Sequence, residues 1–538
     1  MSYPLQSIML QTSRIVYAVL TIFVLAPSIL YCQQAPRLEW SKSLGGSDYE
    51  VANCIIQTSD GGYAVAAYAS SKDGDVVGNH GIGDGWVIKL DQSGNIKWKK
   101  CLGGTGDDYA TWIVETSDGG YAVAGKTGSS DGDVAGNHGG EFDGWIVKLD
   151  AQGTIIWQKC YGGTSYDQLN SITKCSDGGF AVCGVTYSND GDVSGNHNGP
   201  GDAWVMKLDS AGEIKWQKCY GGGGNDEAIC IIQNSSGGFA IAGRTSSSEG
   251  DIDNYHGGEF DGFVLMLGSD GNKKWMKCFG GDSLEHFHSI VQTSDGGYAV
   301  CGHTNSINGD VTSDHGDMDA WVIKIDSIGS LQWQHCLGGS GDDGTYSVIQ
   351  TEDKGFVAAG WSSSSDGDAS GCHGQDDIWV AKIDSGGRML WQKCLGGSQP
   401  ENANSMVITS DGGYAVAGFT NSSDGDVIGN HGSEDVWILK LTPASGVASD
   451  QSTEGILNIY PNPVTQAAQL DYVLEKRSHV AIEIYTILGQ KMETLLDEWE
   501  DAGNIENEID LGAITSGSYF MRFNINGRLS TKAVRVTK

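Results

Sequence analysis

Most of the chain alternates short apolar runs with glycine-rich turns, and the pattern recurs at a fixed interval. The stretch from Gly85 to Asp143 shows one full period, with apolar or alternating runs near Trp86–Leu90, Ile96–Leu102, Tyr109–Glu115 and Tyr121–Lys126. Asp91-Gln-Ser-Gly94, Gly103-Gly104 and Ser117-Asp-Gly-Gly120 separate them. Runs this short, bounded by Gly, Asn, Asp and Ser, predict strands joined by tight turns. Trp40, Trp98, Trp157, Trp216, Trp275, Trp333 and Trp391 mark the period, at spacings of 58 or 59 residues. A second aromatic keeps step at Trp86, Trp145, Trp204, Phe263, Trp321, Trp379 and Trp437.

Four strands per period, seven times over, predict an all-β protein whose bulk, residues 37–441, is a seven-bladed β-propeller. The ends of the repeat region support closure. The first copy starts at Leu38–Leu44 without the Trp-Val-Ile-Lys-Leu strand that normally precedes it, and the last copy ends on that strand, Trp437–Leu441. Pairing the two completes one blade from both termini and removes the open sheet edge.

Composition agrees with this reading. The sequence has 80 glycines against 8 prolines, 16 tryptophans and 19% charged residues. That suits tight turns and aromatic-rich strands and is too aromatic for disorder. A formal charge of −35 repels nucleic acid and anionic membranes and favours cations or basic partners. Before the repeats, Arg14 is followed by an uncharged run from Ile15 to Leu30 broken by Pro27. This reads as a signal peptide, residues 1–32, with cleavage after Cys32; a lipidated Cys32 is the rival reading. No later segment has the apolar length of a membrane span. Of 13 cysteines, Cys101, Cys160, Cys219, Cys278, Cys336 and Cys394 hold one place in six successive repeats. Equivalent positions in separate blades lie too far apart to bridge, so these read as small buried side chains, with paired thiols as the alternative.

The segment Asp91-Gln-Ser-Gly94-Asn-Ile-Lys-Trp98 resembles the tryptophan-docking motif of quinoprotein dehydrogenase propellers. It recurs at Asp150/Gly153/Trp157, Asp209/Gly212/Trp216, Asp326/Gly329/Trp333 and Asp384/Gly387/Trp391, while the fourth copy has Gly268 in place of the Asp. The resemblance implies that these tryptophans lock neighbouring blades; the quinone does not carry over, because its ligands have no counterpart here. After Leu441 the pattern breaks. Residues 442–455 read as a linker, and residues 456–538 resemble the C-terminal sorting domain of type IX secretion cargo in Bacteroidetes. The matching features are Ile459-Tyr-Pro-Asn-Pro463, Ile484-Tyr-Thr-Ile-Leu-Gly-Gln490, Leu511, Gly517-Ser-Tyr-Phe520 and Lys532-Ala-Val-Arg-Val-Thr-Lys538. That resemblance implies a small C-terminal β-sandwich, handling by the type IX secretion machinery, and a secreted or outer-surface location.

Comparing the seven copies separates constant polar positions from variable ones. An acid follows each Gly-Gly pair, at Glu50, Asp108, Asp167, Asp226, Glu285, Asp343 and Glu401. A long loop supplies Asp75, Asp133, Asp192, Asp251, Asp310, Asp368 and Asp426, then His80, His138, His197, His256, His315, His373 and His431. An Asp lies two residues before each second aromatic, at Asp84, Asp143, Asp202, Asp261, Asp319, Asp377 and Asp435. Two readings stand. The loop aspartates offer hard oxygen donors to one calcium ion per blade, although the closing Glu of an EF-hand is missing. Alternatively, His, Asp, Ser and Trp form a hydrogen-bonded network that satisfies buried loop backbone. Zinc fits the repeated loop poorly, since each copy has a single fixed His.

Two departures from the repeat remain. The fifth copy has His286 and His288, with His303 on the next strand and His335 in the following copy. Two His at i and i+2 share a strand face and can bind a metal; the competing reading is exposed variation. Separately, one position after the Ala-Val-Ala-Gly strand varies freely, as Tyr68, Lys126, Val185, Arg244, His303, Trp361 or Phe419. Side chains arrayed around one end of a ring suit contact with a ligand or partner, against the alternative of surface drift. No catalytic residue is nominated, because repetition works against a singular constellation; no nucleophile elbow or phosphate loop is present. The sequence therefore points to an exported propeller that binds an extracellular glycan or protein. An extracellular hydrolase or lyase acting on polysaccharide from the central face is the alternative.

Overall fold

The computed structural model describes residues 35–313, 315–444, 458–460, 464–474, 476–486, 491–525 and 528–538. The signal-peptide reading and most of the linker fall outside these residues. Seven antiparallel four-stranded sheets follow one another along the chain. Six are contiguous: Glu50–Leu102, Asp108–Tyr161, Asp167–Tyr220, Asp226–Phe279, Glu285–Leu337 and Asp343–Leu395, blades one to six. The seventh joins Glu401–Leu441 to the first strand of the chain, Leu38–Leu44, which pairs with Asp435–Leu441 through Ser41↔Leu439 and Leu44↔Val436. The ring is thus closed by both ends of the repeat region, as its incomplete first copy predicts. The period visible in the sequence straddles two blades: it takes the outer pair of strands from one and the inner pair from the next.

The first strand of each blade touches the first strands of both neighbours in an unbroken cycle, so these seven strands surround the axis. The second and third strands are buried on both faces by adjacent sheets, which is why Tyr63–Ala69 and Asp84–Leu90 are buried at every position. Small residues let the sheets approach; a Cβ on Gly262 would lie 2.7 Å from the Phe287 ring of the next blade.

Tryptophans on the outer strands tie each blade to the next. The indole N–H groups of Trp98, Trp216 and Trp333 donate to the carbonyls of Ala151, Ser269 and Ser385, at 3.1, 3.2 and 3.1 Å. The ring of Trp216 covers Gly271, whose φ of +74° suits glycine and whose Cβ would meet the indole at 2.9 Å. The docking role inferred for these residues is therefore realised at Trp98, Trp216 and Trp333. Of the six repeated cysteines, Cys101, Cys160, Cys219, Cys278 and Cys336 are buried thiols. The sixth corrects the expectation: Cys394 forms a disulfide with Cys372, 22 residues earlier in the same blade. The bridge runs within one blade, between loop and outer strand, so the separation argument does not reach it.

The C-terminal strands form two sheets. Asn458–Tyr460, Ala467–Leu474 and Gly503–Asp510 make one; Ser478–Thr486, Lys491–Glu500, Gly517–Ile525 and Arg528–Val536 make the other. Leu470, Tyr472 and Leu474 from the first pack with Ile482, Met521, Phe523 and Val534 from the second, giving the expected β-sandwich. Among the described residues no helix is long and apolar enough to cross a membrane.

Candidate functional site

Up-and-down strand order places two kinds of connection at the same end of the ring: the loops between second and third strands, and the links between blades. The repeated polar residues knit these together. Asp108, fully buried, accepts from the Gly104 amide at 2.8 Å, from Ser129 Oγ at 2.7 Å and from the Thr127 hydroxyl. Glu50 serves its own link in the same way, accepting from the Gly46 and Ser71 amides at 2.7 and 2.9 Å. The Asp that opens each third strand holds the loop histidine, as in His80 Nδ1 to Asp84 Oδ2 at 2.6 Å. Burial pushes the Asp261 and Asp377 carboxyls up to about 6, against the pull of their histidines.

Five of the seven loop aspartates meet a lysine or a histidine. Asp75 lies 2.9 Å from Lys99, Asp251 lies 2.6 Å from Lys273, and Asp133 stands 4.0 Å from Lys100. His138, His197 and His256 reach across to Asp192, Asp251 and Asp310 of the following blade at 3.7, 3.8 and 3.6 Å. All seven, including Asp368 and Asp426, also donate their backbone amide to the first glycine of the Gly-Gly link. Among the described residues, two groups of three His, Cys, Asp or Glu bring their donor atoms within 4.8 Å of one another. Neither contains a loop aspartate. One is Cys372, Asp377 and Cys394, whose sulfurs are engaged in the disulfide; the other is His286, His288 and His303.

The variable position faces the same end, close to the axis. Each such residue pairs in register with the second residue of the inner strand: Tyr68 with Val51, Lys126 with Tyr109, Arg244 with Glu227, His303 with His286, Trp361 with Gly344, and Phe419 with Asn402. Tyr68, Val185 and His303 are buried and the others half-buried, so they pack on one another instead of projecting as exposed points. The partners on the inner strand and the preceding loop vary equally between copies. Reading the variable positions of the inner strand together with those of the second strand would have found them.

Around blades one to three these residues make an aromatic arc. Tyr68 stacks on Tyr109 with centroids 4.3 Å apart, and contacts between rings continue through Phe142, Tyr166 and Tyr187. Asp107 accepts from the Tyr68 and Tyr109 hydroxyls at 2.8 and 3.0 Å. Burial, with Asp107 adding to it, pushes the Tyr109 phenol up to about 12. Lys126 sits over Phe142 and Tyr109, 4.6 and 4.7 Å from their centroids, and burial lowers its pKa. At blade four the arc becomes ionic: Arg244 binds Glu227 Oε2 through Nε at 3.0 Å and Nη2 at 2.7 Å, and lies over Phe260.

Blade five holds the three histidines. His286 and His303 are register partners with rings 5.0 Å apart, and His288 Nε2 lies 3.4 Å from His303 Nδ1. A bulge after Phe287, at the place where every inner strand carries one, leaves His288 out of the ladder. His288 also meets Tyr346 of blade six, centroids 4.5 Å apart. Burial, reinforced by Arg244, lowers the His286 and His303 pKa values to about 3 and about 4 and drives His288 down as well. These residues are not exposed variation. His335, the fourth member suggested by the sequence, lies apart on an outer strand with its Nε2 3.1 Å from the Gly386 carbonyl.

Similarity to known proteins divides along the chain. One relative is the regulatory protein FlaEY of Caulobacter vibrioides, 26% identical over 181 residues, or 32% of this chain and 18% of that protein. This chain therefore spans less than a fifth of the relative's length. Among solved structures it is similar to the Pan2 WD40 domain of Neurospora crassa, at 11% identity and a TM-score of 0.39, covering 74% of this chain and 95% of that one. Sqt1 of Chaetomium thermophilum, at 13% identity and a TM-score of 0.37, covers 76% and 100%. A puromycin hydrolase, at 10% and 0.39, covers 82% and 62%. Residues 458–537 match the family model of the secretion system C-terminal sorting domain. Its seven four-stranded sheets, closed by Leu38–Leu44, make the chain a seven-bladed β-propeller, and it carries a sorting domain of this family, which marks it for type IX secretion to the cell surface or extracellular space.

Proposed function

We propose that the exported propeller is a binding or adhesion scaffold, and that the aromatic and ionic residues around the axial mouth contact an extracellular glycan or protein. The observation that carries this is the departure from repetition at one place. Scaffold positions are nearly constant in all seven blades, whereas the mouth positions differ in every blade and converge. Aromatic faces beside polar groups, as in the arc from Tyr68 to Tyr166, suit the apolar faces and hydroxyls of sugars and favour a glycan. The alternative, a hydrolase or lyase acting on polysaccharide from the same face, draws support from the grouping of His286, His288 and His303, a singular constellation of the kind an enzyme needs. A glycan and protein binding screen on the full chain tests the proposal. Saturable binding with no chemical change in the ligand is expected. Product release that stops on replacing one mouth residue would instead establish the enzyme.

A further inference from the structure

The chain has 12 histidines, and seven are the loop histidines of the scaffold, which leaves five. Three of those five, His286, His288 and His303, present ring nitrogens within 4.8 Å of one another. The other blades carry no histidine at any of the three equivalent positions. The scaffold histidines each rest on a buried carboxylate, as His80 does on Asp84, whereas no carboxylate joins this group. The 3.4 Å between His288 Nε2 and His303 Nδ1 is long for a hydrogen bond. It matches two nitrogens sharing one ion, since bonds of about 2.0–2.1 Å at a tetrahedral angle separate the donors by about 3.4 Å.

We propose that His286, His288 and His303 bind one divalent transition-metal ion of the zinc class, with the remaining coordination open to water or an anionic oxygen ligand. The site stands on this geometry and does not depend on the glycan-binding reading. Neutral imidazoles are the form that binds a metal. Arg244, 3.1 Å from His286 Nε2, is a cation that opposes the ion. Its charge is offset by Glu227, whose Oε2 accepts from both Nε and Nη2, and it stands ready to pair with a carboxylate bound at the open position. Three protein nitrogens with an open position are the pattern of sites that exchange ligands, in contrast to closed structural sites.

The test uses the full-length chain, stripped with a chelator and titrated with Co²⁺ and then Zn²⁺. One equivalent of Co²⁺ should give a visible d–d spectrum that Zn²⁺ displaces. His288→Gln and His303→Gln should each weaken zinc binding by about 100-fold or more, beyond the range for second-shell losses. His335→Gln should leave it unchanged. Unchanged zinc stoichiometry in a folded His288→Gln/His303→Gln protein would overturn the site, as would absence of the cobalt spectrum in the unmutated chain, a readout that no folding defect can obscure. Lys126→Ala, a mouth change outside the cluster, should keep the metal whether or not a ligand binds, so failure of the glycan reading and failure of the metal site are separable.

Discussion

Replacing Asp261 or Asp377 by Asn should change how the stability of the propeller depends on pH. Both carboxyls are buried, each receives one histidine amide, and desolvation raises each to about 6 in the folded chain, against an ordinary value of 3.8. Between these values the folded state binds more protons than the unfolded one, so stability falls as pH rises from about 4 to about 6. A shift of about two units corresponds to about 3 kcal/mol per group, lost in full by pH 7. Around Asp261 the titratable neighbours are His256 of its own loop and Glu285 of the next blade. Burial raises Asp84, Asp143, Asp202 and Asp435 in the same direction. The turn aspartates oppose this trend at lower pH. Asp118, held down to about 2 by Thr116 and then Lys148, supports the fold above 3.8 and loses that support as pH falls towards 2. Urea unfolding followed by tryptophan fluorescence should therefore give maximal stability between about pH 4 and 5. In Asp261→Asn or Asp377→Asn the decline towards pH 7 should shrink by about 3 kcal/mol. A wild-type stability that rises from pH 4.5 to 7, or a variant with an unchanged decline, would refute the reasoning.

Three further outcomes follow from the scaffold. Trp216→Ala should destabilise by about 2–4 kcal/mol, below the upper range for buried aromatics because the ring is half-buried; Gly271→Ala beneath it should cost at least about 1 kcal/mol for its left-handed backbone. Asp108→Ala, which strands the buried Gly104 amide, should cost about 3–5 kcal/mol in urea unfolding, and Asp108→Asn less. With five of the seven loop aspartates paired to Lys or His, calcium added to chelator-stripped protein should leave the melting temperature unchanged; a rise would point instead to ions at Asp75 and its six counterparts.

Much of the fold could be read from the chain because each repeat states its own strands. Apolar runs, Gly turns and the two aromatic series located every blade, and the missing strand before Leu38 located the closure. The blade frame was less visible, since a period has no marked beginning: Gly85–Asp143 spans two half-blades. Cys394 was misread because it occupies the same place as five buried thiols, while its partner Cys372 stands in the loop position that is Asn in several other copies. At the mouth, the sequence identified Lys126, Arg244 and their equivalents as free to vary. It could not show that they pack against Tyr109, Glu227 and Phe260, because that depends on register and on contact between blades. The same holds for His286, His288 and His303. Their proximity comes from strand pairing and a bulge, and neither is written in spacing alone.

The most direct measurement of the central claim is the binding isotherm of a ligand captured in the screen, recorded for the full chain and two variants. Tyr109→Ala removes the ring between Tyr68 and Phe142, and Gln152→Ala alters an exposed turn at the opposite end of the ring. A mouth contact predicts a loss of affinity of at least about twofold to tenfold for Tyr109→Ala, since stacked aromatic contacts contribute about 0.5–1.5 kcal/mol beyond the area they bury, and no change for Gln152→Ala. Equal affinities for all three proteins would contradict it.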